Sequence, residues 1–211
     1  LAPPEGWWAT IRSIWVADES FRRLVMARAL IGIAGMAPAY YAVNAVRTLD
    51  ASDSDAASFG LVTLASQLVG TVVWGEVTAR TGRPWFLVIG PTIGALGAAW
   101  ATIAGTVVAL YPTFMVAGAA FAAQLMCDMS IPIQLAERAG RPRGRYVAAY
   151  STLIIPFSIS APVVGGLLAG SSGFVAVDLT AIVAYCIAAA TGASFVRLLH
   201  QSPAAPREAS P

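Results

Sequence analysis

Residues 85–104 read WFLVIGPTIGALGAAWATIA, a run without one ionisable side chain. At a rise of about 1.5 Å per residue it is long enough to cross a hydrocarbon core of about 30 Å as a single helix. In water such a helix would lack a polar face. In lipid it needs none, because each interior N–H and C=O is bonded within the segment. Outward from this run, five more of the same kind follow the chain at 24–46, 59–77, 107–133, 147–169 and 174–196. Together they predict an all-α integral membrane protein with six transmembrane helices. The composition agrees: 57% of the 211 residues are hydrophobic and 11% charged, against roughly 25% charged in a soluble domain. Mean hydropathy is +0.70.

Charge between the runs sets the expected orientation, since cytoplasmic loops carry the excess of basic residues. Arg12, Arg22 and Arg23 precede the first run, and Arg80 and Arg83 lie between the second and third. Arg138, Arg141, Arg143 and Arg145 lie between the fourth and fifth, and Arg197 and Arg207 follow the sixth. The opposite loops carry Asp50, Asp53 and Asp55 with Arg47, then no charge at Gly105-Thr106, and only Asp178 just inside the sixth run. Both termini are therefore expected in the cytoplasm. The Arg- and Ala-rich composition fits coding by a GC-rich bacterial genome, hence a cell (inner) membrane.

The flanks read differently. Residues 1–23 hold Trp8, Ile11 and Trp15 at helical spacing among charges, either as an amphipathic helix in the membrane interface or as a linker with an aromatic belt. Both readings place the segment against the bilayer. Residues 24–199 form the bundle, and the Pro-, Ala- and Ser-rich stretch 200–211 reads as a disordered tail. The chain opens Leu1-Ala-Pro-Pro4 with neither Met nor a signal-peptide pattern, so it is expected to be the latter part of a longer polypeptide.

Several function classes fall away. All 13 basic residues are Arg and the net charge is +2, with no polybasic run to engage nucleic acid. Cys127 and Cys186 lack CxxC or Cys/His spacing, so no metal centre, disulfide framework or cofactor is expected. No phosphate-binding loop of the ATPase type is present. A six-span serine protease needs a membrane-embedded Ser/His pair, yet the one histidine, His200, follows the last run. The chain is not expected to be an enzyme.

Two stretches carry a resemblance. The loop after the second run reads GEVTARTGRP from Gly75 to Pro84. It is similar to the signature of the major facilitator superfamily of secondary transporters: a Gly, an acidic position four residues on, then Arg-x-Gly-Arg and a further basic residue. Gly75, Arg80, Gly82 and Arg83 match, while Ala79 holds the acidic position and Pro84 the last basic one. Gly75 would allow close helix contact and Gly82 a tight turn. Arg143-Gly-Arg-Tyr-Val-Ala-Ala-Tyr150, with Ser160-Ala-Pro162-Val-Val-Gly165-Gly166, resembles the family's Arg-Gly pair and the kinked Gly/Ala-Pro-x-x-Gly-Gly run beyond it.

Across nearly the whole chain, the resemblance implies the C-terminal half of such a transporter. Its six helices would form two three-helix inverted repeats, joined through the linker 1–23 to an N-terminal six-helix half in the same or a separate chain. The 75–84 loop would act as a cytoplasmic gate latch, and a small solute would bind near the midplane. The alternative is a truncated or split fragment without transport activity of its own.

In that family the first and fourth helices of each half line the cavity, which singles out the polar residues there. Tyr40, Asn44 and Arg47 share a face of the first run, Gln124 and Asp128 share a face of the fourth, and Gln67 lies mid-way along the second. Each is either bonded within the bundle or faces a wet cavity. Arg28 and Asp128 lie at similar depth, so they either pair or snorkel separately to the interface. A pair would close the cytoplasmic end or titrate during coupling. The interior is sparse in charge, which points to a neutral, amphipathic or apolar solute.

Overall fold

In a computed structural model, residues 6–201 are described, with side chains through Leu199; the remainder of the expected tail lies outside the described residues. The order is α1 (Trp7–Ala17), α2 (Glu19–Ala34), α3 (Ala37–Thr48), α4 (Asp53–Thr81), α5 (Phe86–Ile103), α6 (Val107–Arg138), α7 (Arg143–Ser172) and α8 (Phe174–Gln201). Six segments are long and apolar enough to cross a membrane, α2 and α3 together making the first. The chain is a multi-pass helical membrane protein.

Most helices outrun their apolar stretches, and their caps explain where they stop. Ser52 and Asp55 form a capping box that starts α4, and Gly82, left-handed at φ 63°, ends it. At 29 residues α4 is roughly 43 Å long, so its ends reach into the headgroup layer. The first span, expected as one helix, is broken at Gly35-Met36. Pro38 lies in the first turn of α3 and has no N–H to return to the carbonyl of Ala34. The helix also begins earlier than residue 24, at Glu19, capped by the Asp18 side chain, which accepts from the Phe21 N–H at 2.9 Å.

Many small residues lie in the interior, beside buried aromatic rings such as Phe21, Phe59 and Phe86, while large aliphatic residues cover much of the outside. Ala34, Ala37, Ala45, Ala122, Ala136, Ala149, Ala181 and Ala188 are buried, whereas Leu61, Leu64, Leu68 and Val72 of α4 and Ile159, Val163 and Leu167 of α7 point outward. Lipid is as apolar as leucine, so close van der Waals packing holds the helices together. At the α4–α6 crossing, a Cβ added to Gly70 would lie 2.9 Å from the Ala122 Cβ, and one on Gly118 would lie 2.7 Å from the Ser66 Cβ. The Trp74 indole N–H there donates to the Ala119 carbonyl at 2.9 Å. Gly90 and Gly94 serve two different neighbours: Gly90 faces Ala123 of α6, and a Cβ added to Gly94 would lie 2.8 Å from the Tyr185 ring of α8. Gly170 meets nothing within 4 Å.

Because the spans are six, the described chain starts and finishes at one end, where Asp18 and Leu199 line the same cleft. At that end Phe21, Tyr146 and Phe195 are fully buried, and at the opposite end Phe59 stacks on Phe114 at 4.2 Å. Packing this tight makes a direct prediction. Gly192 backs onto the Leu87 carbonyl of α5, so Gly192→Val should lower stability by about 2 kcal/mol or more. Gly170→Ala should match or slightly exceed the parent. Thermal unfolding in detergent followed by circular dichroism reads both.

Candidate functional site

Three helices meet around one buried charge. Arg28 of α2 is only 7% exposed. It donates from Nε to Asp128 Oδ1 at 2.9 Å and from Nη2 to Asp128 Oδ2 at 3.0 Å, a two-pronged pairing with α6. The pair expected from depth alone is therefore formed, and Arg28 does not snorkel. Tyr150 of α7 adds a third strand to the knot, its hydroxyl donating to Asp128 Oδ1. One turn earlier, the Tyr146 hydroxyl donates to Asp18 Oδ2 at 3.1 Å and its ring meets Phe21 edge-on at 5.4 Å. The two tyrosines of the 143–150 stretch thus tie α7 to the α1–α2 corner and to the ion pair. Neither stood out in the sequence as more than part of a motif, although their i, i+4 spacing already put both phenols on one helix face.

Hydrogen bonding is incomplete at this knot. Arg28 Nη1 and Gln124 Nε2 are buried N–H groups without an acceptor. Gln124, one turn from Asp128, borders a small cavity shared with Ile31, Cys127 and Tyr185, of a size for about one water molecule. Arg28 Nη1 reaches the notch at Gly32, where an added Cβ would sit 3.5 Å from it and 3.8 Å from Ser158 Oγ of α7. Orphan buried donors are costly.

The remaining expected residues lie elsewhere. Tyr40 stands about 18 Å further along the first span by helical rise. Its ring fills the space left by Gly165, its hydroxyl lies over Gly166, and it donates to the Pro162 carbonyl at 2.6 Å. Tyr40 and the kink motif of α7 thus form one contact. Asn44 Oδ1 accepts from the Thr48 hydroxyl at 3.1 Å on its own helix. Gln67 lies at the α4–α6 crossing beside Gly118.

In the 75–84 loop, Arg80 pairs with Glu76 one turn back at 2.5 Å, and the Arg83 guanidinium lies 6.0 Å from the Trp85 ring. Both contacts stay within the loop and its flanking helix starts. Gly82 makes the expected tight turn, but a Cβ at Gly75 would meet nothing within 4 Å, so Gly75 makes no close helix contact within this chain.

One acid stands just inside the sixth run. Asp178 of α8 is 5% exposed beside fully buried Val177 and Ala181, and no ion pair or side-chain hydrogen bond reaches its carboxyl among the described residues. Ionisable side chains held this way in membrane helices are rare and costly. A lone acid among apolar residues was the available signal. No group of three or more His, Cys, Asp or Glu could hold a metal among the described residues. Compared with protein-family models, curated proteins and solved structures, the chain matches none.

The knot predicts a non-additive pair of variants. Arg28→Met alone strands Asp128 and should cost about 2 kcal/mol, below the roughly 3–5 kcal/mol of a wholly buried pair because Asp128 is a third exposed. Arg28→Met with Asp128→Leu should recover to within about 1 kcal/mol of the parent. Thermal unfolding of the three proteins in one detergent decides this.

Proposed function

We propose that the chain is the C-terminal half of a major-facilitator-type secondary transporter that moves a small solute across the cell (inner) membrane. The observation that carries the reading is the Arg28–Asp128–Tyr150 knot. A charge at the centre of a membrane helix costs about 2.5–3.5 kcal/mol on insertion scales, and structure alone gives no reason to keep one. A pair that joins α2, α6 and α7 by hydrogen bonds can be broken and remade as those helices rock. That is the behaviour required of a gate.

The further parts of the proposal follow the resemblance. The six spans would be two three-helix inverted repeats, both termini would be cytoplasmic by the arginine distribution, and an N-terminal six-helix half would complete the pathway. The loop with Gly75, Arg80, Gly82 and Arg83 would latch against that half, since its arginines engage no other helix here. The sparse charge of the interior favours a neutral, amphipathic or apolar solute.

A second reading, a fragment without transport activity of its own, is favoured by the presence of six spans where the family uses twelve. Expression of the chain in membranes with any six-span half encoded beside it separates the two. The transporter reading expects a stoichiometric complex whose vesicles take up solute along a gradient, with uptake reduced at least tenfold by Asp128→Asn. A stable lone chain or homodimer without uptake would establish the second reading instead.

A further inference from the structure

At the end of the bundle that holds the termini, positive charge is left without a partner. Among the described residues, Glu137 there pairs with Arg143 at 2.8 Å and Glu19 with Arg23 at 2.6 Å, while Asp18 accepts from Tyr146 and borders a neighbouring cleft with Arg141. Arg138 donates to the Leu199 carbonyl at 3.0 Å. The side chains of Arg141 and Arg145 have no carboxylate within ion-pair distance and no hydrogen bond among the described residues.

These two arginines border one cleft of about 290 Å³ that Thr10, Ser13 and Tyr146 also line, the Ser13 hydroxyl donating to the Thr10 carbonyl at 2.9 Å. The cleft lies between α1 and the start of α7. The first turn of α7 contains no acid but does contain Arg143 and Arg145. A helix N-terminus carries a partial positive charge that acidic side chains ordinarily relieve. Here the arginines add to it.

The position of α1 says where the missing anion comes from. Its buried face, Thr10, Ile11 and Ile14, packs on the bundle, while Trp7, Trp8 and Val16 are left open. A short helix at the end of a membrane bundle, with two bare tryptophans, lies in the interfacial layer, where indole rings settle at headgroup depth. The cleft roofed by such a helix is therefore level with lipid phosphates.

We propose that this cleft is a binding site for the phosphate of an anionic phospholipid, gripped by Arg141 and Arg145 with the Thr10 hydroxyl donating to one of its free oxygens. Guanidinium groups suit this ligand because their planar N–H pairs match two phosphate oxygens. The lipid would pin α1 to the α6–α7 corner. The site stands whether or not the chain transports a solute.

The full chain in detergent, titrated with short-chain phosphatidylglycerol, phosphatidylcholine or inorganic phosphate and followed by Tm, tests the assignment. Phosphatidylglycerol should raise Tm by several degrees, and phosphatidylcholine and inorganic phosphate should not. Arg141→Gln with Arg145→Gln should lose most of that shift, whereas Arg197→Gln, an exposed arginine on α8, should keep it. Equal shifts with both lipids, or an undiminished shift in the double variant, would overturn the proposal. A shift with inorganic phosphate as large as with phosphatidylglycerol would assign the cleft to a soluble anion and overturn the lipid. Should the double variant not fold, the three ligand titrations on the parent still decide.

Discussion

No part of this structure can be separated from the rule that a backbone in hydrocarbon must satisfy its own hydrogen bonds. It forces the helices, and it holds their hydroxyls too. Thr63, Thr71 and Thr180 turn back to the carbonyls of Phe59, Gln67 and Ala176 at 2.7–2.8 Å, so that few polar atoms face lipid. Once every helix is self-sufficient, assembly depends on how closely the helices can approach. Alanine and glycine then do what leucine does in water-soluble cores.

Against that background the polar contacts between helices stand out by their scarcity. Arg28, Asp128 and Tyr150 join α2, α6 and α7, and Tyr40 reaches the Pro162 carbonyl at the other end of the first span. Both ends of the pair formed by α2–α3 and α7 are therefore fastened to one another through side chains that can let go. Between them lies the break at Gly35-Met36, where the first span has already given up its continuous hydrogen bonding. A helix fastened at both ends and interrupted in its middle can bend without unpacking.

The distribution of charge divides the molecule by depth. Arginines crowd the end that holds the termini, where α1 offers tryptophans to the interface and Arg141 and Arg145 stand ready for an anion. Within the bundle, toward that same end, lies one neutralised pair, Arg28 with Asp128. The opposite half holds a single enclosed acid, Asp178. Each group sits where its charge is either solvated, paired or in need of a partner from outside the chain.

Long uncharged runs, the punctuation of arginines, and Gly82 as a turn point all act within a few residues. Six spans, their approximate limits and the sidedness of charge were therefore legible in the sequence of this protein. Depth along a helix is also a local quantity, which is why Arg28 and Asp128 could be set at one level before any fold was known. What lies across the interface is not local. That Tyr150 completes the pair, that Tyr40 fills the notch at Gly165, that Gly90 and Gly94 face different helices and that Asp178 turns inward depend on the rotation of each helix about its axis. Lipid gives almost no preference for one apolar face over another, so that rotation is chosen only when the helices pack.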